Sequence, residues 1–158
     1  MSPASNREAK PTAGHRGCPR RGIPYDSTVA EISPDAALDA VLQAVAARDL
    51  GMILEGLSFL HGPTVVGSEE GESAHGREAV EAFFARICSL PAGFRFAFPQ
   101  RRCTVRGDVA WLVADGTVIE PGKAAALPYR LTAVLVGEGA AWRLSLWSGA
   151  EPLRARPA

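Results

Sequence analysis

The sequence predicts an α+β fold in which a curved antiparallel sheet wraps around about three N-terminal helices. In three segments between residues 34 and 90, apolar residues recur every three or four positions, as on the inward stripe of a helix. From Phe94 onward the apolar period is two, and short turns separate the segments, which is typical of an antiparallel meander. Because a curved sheet has a hollow that must be filled, we expect the helices to lie against its inner face, with any site between the two layers.

The first two helices have recognisable start and stop signals. Ser33-Pro34-Asp35 predicts a helix start, with serine as the N-cap and proline at the first helical position. This helix should run to about Arg48. Asp49 can cap a second helix, which we expect to continue towards the breaker His61-Gly62-Pro63.

A short hairpin and a third helix should follow. The β-branched segment Thr64-Val65-Val66 and a polar turn predict a small hairpin that ends near His75. Gly76 then opens a helix that reaches about Leu90. The sequence therefore places all its helices before the long strands.

The remaining chain predicts long strands with one bend. Phe94, Phe96 and Phe98 share one face of the first long strand. Cys103 has the opposite parity, which predicts a β-bulge at Pro99-Gln100. Further strands should cover residues 109–119, 129–136 and 141–148. The last two are apolar on both faces, and since helices cover only one face, we expect the other to meet a second copy of the chain in a homodimer.

Composition excludes several classes of protein. With 158 residues and 47% hydrophobic content, the chain suits one globular domain. The 17 basic residues balance 17 acidic ones, which does not indicate a nucleic-acid binder. No stretch reaches the roughly 18 apolar residues of a membrane helix, so we expect a cytoplasmic protein without a membrane contact. Residues 1–30 should form a disordered basic tail, 34–152 the domain and 153–158 a short tail.

Neither a metal site nor a cofactor is expected. The three cysteines, Cys18, Cys88 and Cys103, lack the close spacing of a zinc site and are predicted to be free thiols. Pro121-Gly122-Lys123 lacks the preceding glycine of a phosphate-binding loop.

The order of elements resembles the nuclear transport factor 2-like superfamily, in its SnoaL-like (polyketide-cyclase-like) branch. The resemblance covers about residues 34 to 152 and rests on four motifs: His75-Gly76-Arg77-Glu78-Ala79-Val80, Gly107-Asp108-Val109-Ala110-Trp111, Tyr129-Arg130-Leu131-Thr132, and Trp142-Arg143-Leu144 with Glu151-Pro152 after it. It implies a cone-shaped fold, a pocket between sheet and helices, and dimerisation through the sheet. It does not imply one activity, because this fold hosts isomerases, cyclases, dehydratases, hydrolases and binding domains.

Two positions depart from one enzymatic branch of that superfamily. In the ketosteroid isomerases, which share the fold, a catalytic aspartate lies on the first short strand and a tyrosine on the first helix. The matching positions here are Gly67 and Val41. Neither side chain can transfer or donate a proton, so the resemblance does not carry over that mechanism.

Asp115 is the candidate general acid or base. Strand alternation places Asp115 on the same face as Trp111 and Val113, and a carboxylate enclosed on an apolar face is suited to proton transfer. The alternative is that Asp115-Gly116 forms a bulge or turn with the carboxylate in solvent.

The candidate ligand-binding residues also have structural alternatives. Arg130 and Thr132 share a face and can bind an anionic or carbonyl group, or form an ion pair and a hydrogen bond on the sheet. Trp111 and Trp147 can stack on a planar ligand or pack in the core. His75 either satisfies a helix end or faces the pocket mouth.

The leading interpretation is a homodimeric domain whose pocket binds a small apolar molecule, with no specific activity assigned. One alternative is an isomerase, cyclase or dehydratase that uses Asp115 as general acid or base. Another is a dimeric interaction module with a filled pocket. The volume of the pocket distinguishes this last alternative from the other two.

Overall fold

The computed structural model describes residues 32–60 and 62–152, and within them three helices and six strands. In chain order these are α1 (Pro34–Ala47), α2 (Leu50–Glu55), β1 (Thr64–Val66), β2 (Ser73–His75), α3 (Arg77–Cys88), β3 (Arg95–Arg106), β4 (Val109–Ile119), β5 (Leu127–Glu138) and β6 (Ala141–Ala150). The predicted tails, 1–30 and 153–158, lie outside the described residues. None of the helices in the described ranges is long and apolar enough to span a membrane.

The six strands form one sheet in the order β2-β1-β6-β5-β4-β3. The α+β prediction is confirmed, but the sheet is mixed, because β1 and β6 are parallel whereas the other neighbours are antiparallel. The chain leaves the β1–β2 hairpin through α3, enters the sheet at its far edge and returns through four strands. The last of these strands therefore meets β1 in the same direction.

The first helix has the predicted ends, whereas the second is shorter than predicted. Ser33 Oγ accepts a hydrogen bond from the Ala36 N–H at 3.2 Å, and Arg48 ends α1 in the left-handed region with φ 60°. The second helix stops at Glu55. The backbone after it hydrogen-bonds to β6 instead, since Leu144 N–H donates to the Gly56 carbonyl at 2.8 Å.

Two bulges bend the sheet. The pairing of β3 with β4 shifts register between Ala97 and Gln100, which confirms the predicted bulge. A second shift, between Val134 and Leu135 in the pairing of β5 with β6, was not predicted.

The core lies between the inner sheet face and the helices. Leu131, Ala133 and Leu135 of β5 are fully buried there, together with Leu38 of α1 and Ile53 of α2. The opposite side of the sheet, called the outer face from here on, has no helix of the described residues packed on it. Successive side chains along each strand therefore point alternately into the core and towards the outer face.

The cysteines of the described residues, Cys88 and Cys103, are free thiols. Burial raises the pKa of both thiols, so neither is activated as a nucleophile. Cys18 lies outside the described residues.

Candidate functional site

A cavity of about 70 Å³ opens between α3, the β1–β2 hairpin and the inner face of the sheet. Aromatic side chains make up much of its wall: Phe83, Phe84, Phe94, Phe96, Tyr129 and Trp147. Aliphatic side chains complete the wall: Val45, Val65, Ile87 and Val118. An apolar lining with a few polar groups is a property of small-molecule sites, but the volume is below the roughly 300–1,000 Å³ of pockets for drug-sized ligands, so the cavity can enclose only a compact apolar group.

Phe96 lies at the centre of the aromatic wall. Its ring centroid is 6.2 Å from that of Phe94, 5.9 Å from Phe98, 5.4 Å from Tyr129 and 5.3 Å from Trp147. These separations lie in the range of roughly 4.5–7 Å that favours aromatic pairs. The rings come from three strands and support one another, so the wall is formed before any ligand enters.

Gly149 makes room for Tyr129 in this wall. A Cβ atom at Gly149 would overlap the Tyr129 hydroxyl, so only glycine allows the tyrosine ring to adopt this position. Burial raises the pKa of Tyr129, and the carboxylates of Glu72 and Glu151 raise it further, while the indole of Trp147 has the opposite effect. The hydroxyl therefore keeps its proton at neutral pH.

We expect Tyr129 to ionise only above the ordinary tyrosine pKa of about 10. Because the folded pKa is raised, Tyr129 leaves stability unchanged below the ordinary value and lowers it as the pH rises from there through the folded value. The chain has two tyrosines, so a spectroscopic titration is recorded for wild type and for Tyr129→Phe. The difference between the two curves isolates the ionisation of Tyr129. A difference curve centred at or below the ordinary value would contradict the buried position.

The polar part of the lining is acidic. Glu72 of the β1–β2 turn, Glu120 after β4 and Glu151 after β6 border the cavity, and we call these three residues the acidic rim. Ser68 Oγ donates a hydrogen bond to Glu151 Oε1 at 3.2 Å. Arg86 Nη2 lies 3.8 Å from Glu72 Oε1, and its side chain is 58% exposed. The rim is therefore only partly neutralised by neighbouring groups.

Of the predicted site residues, Trp147 lines the cavity, and its exposed fraction is 5%. Trp111 and Asp115 share a face, as predicted, but it is the outer face. The prediction that Asp115 is enclosed is wrong: its carboxylate is 47% exposed, and Oδ1 accepts a hydrogen bond from Arg130 Nε at 2.7 Å. Arg130 and Thr132 lie beside Asp115 and Val113 in the adjacent strand and also face outward.

Alternation shows which residues share a face but not which face the helices cover. In β4 the covered face carries Ala110, Leu112 and Ala114, all fully buried. This face of β4 carries no charged side chain, whereas the opposite face carries Asp115, and this signal in the sequence could have assigned the faces correctly.

His75 also lies outside the cavity lining. Its Nδ1 is 2.8 Å from Thr64 Oγ1 on the neighbouring strand of the hairpin, within hydrogen-bond distance. Gly67 does line the cavity, whereas Val41 is a core residue with 1% exposure. The position that matches a catalytic aspartate elsewhere is therefore beside the cavity but has no functional side chain.

The sequence reasoning missed most of the lining. The turn that contains Glu72 was predicted only as the polar turn of the hairpin, and no site role was predicted for Tyr129, Glu120 or Glu151. The shared face of the phenylalanines in β3 was recognised, and it was the available signal for the aromatic wall. The rim residues are far apart in sequence, and no local motif connects them.

Comparison with known proteins identifies similar domains. The family model described as a SnoaL-like domain matches residues 35–150. A candidate dehydratase of the NTF2-like family from Streptomyces avermitilis has a TM-score of 0.68 at 16% identity, covering 75% of this chain and 92% of that one. A candidate ketosteroid isomerase from Shewanella frigidimarina has a TM-score of 0.60 at 12% identity, covering 72% of this chain and 91% of that one.

An NTF2-like protein of unknown function from Pseudomonas putida has a TM-score of 0.63 at 17% identity, covering 75% of this chain and 83% of that one. At such identities the likeness of these solved structures shows the fold alone. No match to a curated protein reaches significance.

Proposed function

Because the chain belongs to the SnoaL-like domain family, we propose that its cone-shaped pocket binds a small, largely apolar molecule. The observation that carries the proposal is the aromatic cavity, which has a volume of about 70 Å³ and is open to solvent. A pocket that served only as packing would be filled by side chains. The open cavity therefore favours binding over the interaction module with a filled pocket.

The wall favours ligands with rings or short apolar chains. Each methylene group removed from water contributes about 0.8 kcal/mol, so affinity should rise with apolar contact until the cavity is full. Phe96 and its neighbours are already packed against one another, which limits the side-chain entropy lost on binding. A small cavity with a preformed wall suits a compact ligand.

A reaction that uses Asp115 has no support in this arrangement. A general acid or base must come within hydrogen-bond reach of the bound molecule. Asp115 does not line the aromatic cavity: it is paired with Arg130 on the outer face, where it borders a separate open depression with Trp111 and Val113. The proposal is therefore ligand binding, with no reaction assigned.

Ser68→Phe should weaken binding of an apolar probe by at least about tenfold, because a ring at this lining position would take up space in the cavity. Ser68→Ala is the matched control, since it removes the hydroxyl without filling space. The measurement is an NMR titration with tert-butylbenzene, following the Trp147 indole N–H, alongside native mass spectrometry of the purified protein for a retained molecule. An absence of both a retained molecule and a shift in wild type would contradict the proposal.

We also propose that two copies pair through their outer faces. Val66, Trp111 and Val113 are exposed there at 37%, 40% and 38%. Trp111 and Val113 share the outer face of β4, with Asp115 beyond them in the same strand and Arg102 beside Val113 in β3, so a two-fold axis near this pair sets basic groups against acidic ones. An extended sheet face can supply the roughly 800 Å² per partner that a stable interface needs.

A further inference from the structure

We propose that the ligand of this cavity is a small organic cation, with an amine or quaternary ammonium group attached to an apolar body. The inference rests on the proposed function, because it names the chemical class of the molecule bound in the same cavity. Two independent features carry it: the charge of the acidic rim and the aromatic faces of the wall.

The charged groups that line the cavity have one sign. Glu72, Glu120 and Glu151 are lining residues, and no lysine, arginine or histidine of the described ranges is among the lining residues. Arg86, which lies 3.8 Å from Glu72, is 58% exposed. Glu120 is in no ion pair within the part of the chain that the structure describes. The cavity therefore keeps a negative potential.

The aromatic wall acts in the same direction. The face of an aromatic ring attracts a cation, and the attraction is strongest where water is excluded. The site already contains one such contact, since the Arg86 guanidinium carbon lies 5.2 Å from the centroid of the Phe83 ring. Phe96 and Trp147 offer further ring surface deeper in the wall. A ligand with an apolar body and a positive end can contact both the rings and the rim.

A metal ion does not fit this arrangement. The rim residues come from three different loops, and in residues 32–60 and 62–152 no group of three or more histidine, cysteine, aspartate or glutamate side chains is arranged to hold a metal. An organic cation has its charge next to apolar surface, so it does not need converging ligands. An anionic ligand would place its charge beside the rim with no basic lining residue to stabilise it.

Three probes of nearly the same shape test the inference: phenyltrimethylammonium, tert-butylbenzene and benzenesulfonate. They are titrated by NMR into the full chain. We expect phenyltrimethylammonium to bind about tenfold more tightly than tert-butylbenzene, and benzenesulfonate to bind least. In the triple variant Glu72→Gln, Glu120→Gln and Glu151→Gln, the cation should lose this advantage while tert-butylbenzene binds as before. Asp115→Asn is the matched control, because it removes a carboxylate from the outer face.

The outcomes separate this inference from the proposed function. If tert-butylbenzene binds as tightly as the cation, or if the triple variant keeps the preference, the cationic ligand is overturned and apolar binding stands. If none of the three probes binds wild type, the cationic ligand is overturned, and apolar binding is overturned with it when native mass spectrometry also finds no retained molecule. If the triple variant does not fold, Glu120→Gln alone should reduce the cation preference about twofold to threefold, and an unchanged preference would overturn the inference.

Discussion

Replacing Gly116 with alanine should destabilise the domain by about 3 kcal/mol. Gly116 lies in β4 opposite the bulge of β3, and an added Cβ atom would overlap the carbonyl oxygen of Ala97. Because this oxygen belongs to the backbone of the neighbouring strand, it cannot rotate away as a side chain could. The two strands would have to separate locally. Urea denaturation of wild type and variant measures the loss in the free energy of unfolding.

Gly137→Ala is the matched control for this prediction. Gly137 is also in a strand of the same sheet, but an added Cβ atom would meet its nearest neighbour, in Asp108, at an ordinary 3.6 Å. We expect this change to alter stability by no more than about 0.5 kcal/mol. Equal losses in the free energy of unfolding of the two variants would show that the close approach of Gly116 to β3 does not cause the loss in Gly116→Ala.

The two bulges show what apolar periodicity can predict and what it cannot. The bulge at Pro99-Gln100 was predicted because the apolar parity changes visibly between Phe98 and Cys103. The bulge in β6 leaves no such mark, since Leu144, Leu146 and Trp147 are all apolar. Where both faces of a strand are apolar, a shift of register does not change the pattern of residue types.

The same limit explains the error over Asp115. Its shared face with Trp111 followed from alternation, and the structure agrees. Which face the helices cover depends on contacts between distant parts of the chain, and the apolar outer face made the two sides look alike. The acidic rim could not be predicted for a related reason. Glu72, Glu120 and Glu151 line the same cavity only because the sheet brings three distant chain segments to it.

The second helix was predicted to be too long because apolar residues after Glu55 suit both a continued helix and a segment paired with the sheet. Leu57 was interpreted as helical, yet it forms a bridge with Leu144 in the sheet. The competing hydrogen bonds come from a strand that is far away in sequence. A helical pattern in the sequence does not show that a distant strand offers this backbone alternative hydrogen bonds.

The outer face should hold the proposed dimer together mainly through Trp111. This side chain lies on the outer face of β4 near the β3–β4 turn, between Thr104 and Val134 in the neighbouring strands, and is 40% exposed in the single chain. A two-fold axis close to Trp111 brings each tryptophan next to the partner's copy of the same surface. Large aromatic residues at such a position typically contribute most of the binding energy.

Trp111→Arg should therefore convert a dimer into a monomer, because it places like charges near the two-fold axis and removes the main apolar contact. We expect the dimer dissociation constant to rise at least about thirtyfold, which corresponds to roughly 2 kcal/mol. Light scattering at micromolar concentration should report twice the chain mass for wild type and the single mass for the variant. Val105→Arg is the control: Val105 is 46% exposed but is paired with the buried Ala110 and points away from the outer face. A monomeric wild type, or equal dissociation of both variants, would show that the outer face is not the interface.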